Sequence, residues 1–101
     1  MTELIETVGE ECGIYVRSIF LPAPEIKVPQ HVHDHDHATY VGNGSVRVWI
    51  DGIFLGDYKA GSLIPVTAGR YHEFMSLEAD TRLACIHDVQ SAESAKKVPL
   101  E

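Results

Sequence analysis

Long apolar runs are missing from this chain. No stretch approaches the roughly 20 residues a membrane-spanning helix needs. Basic charge is also scarce. Eight Lys and Arg stand against 15 Asp and Glu, a net charge of −7. That balance argues against nucleic acid and against an anionic membrane surface, both of which recruit a basic face. The N-terminal residues Met1-Thr2-Glu3-Leu4-Ile5-Glu6 lack the basic start and apolar run of a secretory leader, so a cytoplasmic location is expected. Cysteine is limited to Cys12 and Cys85, with no CxxC spacing. Two reduced thiols suit that compartment, and a Cys12–Cys85 bridge depends on geometry that spacing does not carry. Helical periodicity is lacking throughout.

What the chain does have is a set of short β-rich runs cut by Gly, Pro, Asn and Asp. Its 101 residues, 45 % hydrophobic and 23 % charged, suit one globular domain, 1–101, with a polar tail over 90–101. Strands are predicted over 13–21, 25–28, 31–41, 45–50, 53–58, 62–66, 71–77 and 81–89. Asp51-Gly52 is a hairpin signal, because both central residues of a type I′ turn need positive φ. Gly42-Asn43-Gly44 marks another turn. Turns at such short intervals are the pattern of an all-β antiparallel sandwich or barrel. Alternation puts Val46, Val48, Ile50 and Phe74 on an inner face and Arg47, Trp49 and Tyr71 on an outer one.

Five of the six histidines fall at 31, 33, 35, 37 and 72. Imidazole is a common ligand of late first-row metals, and histidines at i and i+2 share one side of a strand. Pro29 before the tract and Thr39-Tyr40-Val41 after it disfavour a helix. A solvated His/Asp tract that chelates metal adventitiously is the competing reading of the tract alone.

The spacing of these residues resembles that of the cupin family over nearly the whole chain. His31-x-His33, three residues, His37, six residues and Gly44 follow the family's first motif, with His37 in its Glu position. Gly61, five residues, Thr67-Ala68-Gly69, two residues, His72, three residues and Ser76 follow the second. Thr67 stands where Pro is usual and Ser76 where Asn is usual.

The resemblance implies a double-sheet jelly-roll barrel holding one divalent transition metal (Mn, Fe, Ni, Cu, Co or Zn) on His31, His33, His37 and His72. It passes over His35, which becomes a rim residue, with Asp34 and Asp36 at the barrel mouth. Four neutral imidazoles leave the metal's charge uncompensated, which favours an anionic small-molecule ligand. Many family members are metal-dependent oxygenases, lyases or isomerases, and a non-catalytic binding or sensing module is the alternative. No dedicated general base is evident. His87 could face the lumen beside the metal, but the outer surface is the preferred reading. A small core and an outward Trp49 suggest a homodimer built on the strand Ile14–Phe20 and the Trp49 face.

Overall fold

The computed structural model describes residues 3–32 and 36–88, with residues 29–31 described by their backbone alone. The expected histidine positions 33 and 35, Asp34 and the tail 90–101 lie outside the described residues. Among the described residues there are nine strands and no helix. They are β1 (Ile5–Glu11), β2 (Ile14–Leu21), β3 (Lys27–His31), β4 (His37–Asn43), β5 (Ser45–Ile50), β6 (Ile53–Lys59), β7 (Leu63–Val66), β8 (His72–Ser76) and β9 (Thr81–Asp88). None of the described residues forms a helix long and apolar enough to cross a membrane.

Two antiparallel sheets face each other as a jelly roll. One has five strands in the order β1-β2-β9-β4-β7, the other four in the order β3-β8-β5-β6. Alternation along each strand sends one row of side chains between the sheets. Ile19 and Leu21 of β2, Val41 of β4, Ile64 and Val66 of β7, and Leu83 and Cys85 of β9 line the five-stranded wall. Val28, Val46, Val48 and Phe74 answer from the four-stranded one.

The turns do what their residues allow. Asp51 and Gly52 have φ of +51° and +82° and close the β5–β6 hairpin. Gly44 is not a hairpin loop but a corner: β4 ends in one sheet and β5 begins in the other. Its φ is +75°, and a Cβ there would meet Thr81 Oγ1 and lie 2.9 Å from the Thr81 Cα. Only glycine fits.

Two expectations need correction. The continuous strand over 31–41 is divided, with β3 ending at His31 in one sheet and β4 starting at His37 in the other. β1 was not expected at all. It pairs with Ile14 to Phe20 of β2 across a turn at Cys12 and Gly13, whose φ values are +53° and +77°. Cysteine in a left-handed turn position is a weak signal, which is why the hairpin is hard to read. Cys12 is exposed on that turn, Cys85 is buried in the core, and no disulfide joins them.

Candidate metal centre

His72 opens β8, where it is in register with His31 on β3 and Ile50 on β5. Along β8, His72, Phe74 and Ser76 are buried while Glu73 and Met75 are half-buried, so the His72 ring points between the sheets. It is 4 % exposed. Its Nδ1 lies 3.3 Å from the Arg70 carbonyl. A carbonyl can only accept, so the proton sits on Nδ1 and the lone pair on Nε2. That Nε2 is buried and has no hydrogen-bond partner among the described residues. Burial holds the ring below the usual histidine range, partly opposed by the Arg70 carbonyl, so the imidazole is kept neutral.

An orphaned buried acceptor costs about 1–3 kcal/mol. A neutral imidazole with its Nδ1–H anchored on a carbonyl and its Nε2 aimed inward is oriented as a metal ligand is. The donor chemistry therefore fits a transition-metal ion.

His37 opens β4 opposite Val66 at the end of β7. It shares the inner face with Thr39 and Val41. Only residues 67–71 connect Val66 to His72, so the two histidines stand at the same end of the barrel on opposite walls. Asp36, exposed at this rim, accepts the Ala68 backbone N–H at 2.7 Å and ties the approach to β4 to the turn before β8. Asp36 thus has a defined backbone partner at the rim. Among the described residues no three His, Cys, Asp or Glu side chains cluster closely enough to hold a metal. The side chain of His31 and the whole of His33 lie outside that description.

Asp51 fixes the entry to β8 from the other side. Its carboxylate accepts the Tyr71 backbone N–H at 2.9 Å and the Arg70 Nε–H at 2.5 Å. The same residue's N–H donates to the Tyr71 carbonyl at 2.7 Å. These bonds hold the Asp51 carboxyl below the usual carboxylate range. Tyr71 is exposed, as its alternation with His72 requires. Farther along β8 the Ser76 hydroxyl donates to the Ala23 carbonyl at 2.7 Å and accepts the Ile26 N–H at 2.9 Å. Ser76 in the motif's Asn position is a latch for the loop before β3.

His87 reverses the expected orientation. Thr81, Leu83 and Cys85 are buried, so His87 falls on the inner face of β9, where its ring meets that of His37 at a centroid distance of 5.9 Å. Reading Leu83 and Cys85 as the core side would have placed it correctly. Arg17 was also overlooked. It is 7 % exposed on the inner face of β2, paired to Glu6, between Tyr15 and Ile19. The alternation Tyr15, Arg17, Ile19, Leu21 carries that signal in the sequence.

No family model matches the chain and no curated protein matches it. Solved structures do. KdgF from a Halomonas species superposes with a TM-score of 0.71 at 16 % identity, covering 82 % of this chain and 76 % of that one. The cupin domain of Schizosaccharomyces pombe Cnp3 gives 0.67 at 17 %, covering 93 % and 69 %. An RmlC-like cupin from Shewanella frigidimarina gives 0.69 at 18 %, covering 85 % and 77 %. Identities this low speak for the fold alone. With two antiparallel sheets closed as a jelly roll and these neighbours, the chain has the cupin fold.

Proposed function

We propose that this protein is a metal-dependent enzyme that binds one divalent transition-metal ion through His31, His33, His37 and His72 and acts on a small, anionic substrate. The observation that carries the reading is the buried Nε2 of His72, which has no hydrogen-bond partner among the described residues and is aimed inward from a ring held neutral. Cross-strand register sets His31 opposite it, and His37 stands on the facing wall. Manganese, iron, cobalt, nickel, copper or zinc all accept nitrogen ligands, whereas magnesium and calcium prefer oxygen.

A bound metal of this kind supplies Lewis acidity and open positions for a ligand. The chain's own residues supply the rest. The Arg70 carbonyl orients His72, Asp51 and Asp36 fix the two segments that carry the histidines, and Phe74 with Val48 keeps the space below the site dry. Tyr15, Arg17 and His87 give the inner wall beside His37 a polar character that a merely structural metal does not need, and this favours substrate chemistry over a passive site.

Metal analysis of protein made without a chelating tag tests the proposal, combined with single alanine variants. His72→Ala is expected to lose most of its metal, while His35→Ala keeps near-stoichiometric metal. Full retention in His72→Ala with loss in His35→Ala identifies an adventitious tract and rejects the folded site.

A further inference from the structure

β2 and β9 stay in unbroken register from Ile14 opposite Asp88 to Leu21 opposite Thr81. Their outer rows are Ile14, Val16, Ser18 and Phe20 beside Asp88, Ile86, Ala84 and Arg82. All nine described strands belong to the two sheets, so none of them lies over this face. Ile14 is 47 % exposed there. The middle of the β9 row is apolar, with a cation at one end and an anion at the other. The Arg82 guanidinium is held 4.4 Å over the Phe20 ring and makes no ion pair among the described residues.

Turned end to end, these rows complement themselves. A two-fold axis parallel to the sheet, perpendicular to its strands and above the Arg17–Cys85 register pair, serves both strands at once. It sets residue 14 over 20, 16 over 18, 84 over 86 and 82 over 88 of a second copy. An axis along β2 would instead stack β1 on the second copy's β9 and put like charges together, since Glu11 and Asp88 both stand level with Ile14.

We infer that a second copy of this chain covers this face with its strands antiparallel, Ile14 against the partner's Phe20 and Arg82 against the partner's Asp88. A carboxylate has about four acceptor sites, so the contact adds to any bond that Asp88 makes within its own chain. The two-fold makes each ion pair twice, and the pairs fix the register while the apolar rows supply the burial. The inference does not depend on the metal site.

Charge reversal, followed by analytical ultracentrifugation, tests that register. Wild type should sediment at twice 11.2 kDa at tens of micromolar. Arg82→Asp alone and Asp88→Arg alone oppose like charges, and each should raise the dimer dissociation constant about tenfold. The double variant restores opposite charges and should return to within about threefold of wild type. Both positions are exposed, and if one single variant does not fold, the other and the double still decide. A wild-type monomer, a mass above twice the chain, single reversals that dimerise like wild type, or a double variant as weak as the singles each overturns the inference.

Discussion

At the position of Gly44, backbone conformation and space make the same demand. The chain must turn from one sheet to the other with φ at +75°, and the Thr81 backbone occupies the place of a side chain. A left-handed residue other than glycine costs about 1–2 kcal/mol, and overpacking adds about 1–3. Gly44→Ala should therefore lose about 3 kcal/mol, measured by urea unfolding, whereas Gly52→Ala, with open space around it, should lose only the conformational part. A Gly44→Ala protein within 1 kcal/mol of wild type would refute the corner geometry. This glycine was legible as a turn from Gly42-Asn43-Gly44, but its role as a corner was not, because Thr81 approaches from a segment distant in sequence. The same distance hid the roles of Asp36 and Ser76: the motif spacing marks Asp36 as a mouth residue and Ser76 only as the stand-in for Asn, while their partners, Ala68, Ala23 and Ile26, emerge only on folding.

Among the elements, the β5–β6 hairpin and the inner faces of β5 and β8 were legible, because Asp51-Gly52 and period-two alternation are local signals. β1 was not, since Cys12-Gly13 is an unusual turn and the strand is exposed along its whole length. His87 was misplaced because Ala84 and Ile86 are as apolar as Cys85, so hydrophobicity alone left the inward face of β9 undecided. The β5–β6 pair also carries a pH-sensitive tie. Arg47 donates to Asp57 through Nε at 2.8 Å and Nη2 at 3.0 Å, and this holds the Asp57 carboxyl below its usual range. A carboxyl lowered by folding contributes stability that is present above its unfolded pKa and is lost as pH falls through the folded value. The pair is exposed, so the effect is small. Asp57→Asn should melt slightly below wild type at neutral pH, and the gap should close in acid. A gap that widens in acid would contradict the assignment.

For the molecule as a whole, the proposed metal, held by residues from both sheets, would bind the native state and not the unfolded chain. Ligand at a hundredfold its dissociation constant adds about 2.7 kcal/mol, roughly 13 °C in melting temperature for a domain of this size. A chelator should remove that increment from wild type and leave His72→Ala unchanged, as differential scanning calorimetry can check. The surface bears on association. Ile14 at one end of β2 and Ile5, the partner of Phe20 at the other, are about half exposed on the outer face of the five-stranded sheet, and Arg82 lies 4.4 Å over the Phe20 ring. Trp49 is half-buried on the outer face of the other sheet, with the Lys27 ammonium 5.8 Å from its ring. These two surfaces lie on opposite sides of the barrel, so one two-fold interface can use only one of them. We propose a homodimer through the Ile14–Phe20 face. Light scattering at tens of micromolar should give twice the chain mass of 11.2 kDa, and Ile14→Glu should halve it. A wild-type monomer rejects the dimer.

The strand order β1-β2-β9-β4-β7 places β9 between two strands made long before it. During synthesis β2 and β4 leave the ribosome early, yet they are not neighbours; each waits for the same later strand. The five-stranded wall cannot close until residue 88 has cleared the exit tunnel. A stalled or truncated product lacking β9 would leave one edge of β2 and one edge of β4 unpaired and open to other chains. Quality control of the five-stranded wall thus falls on β9.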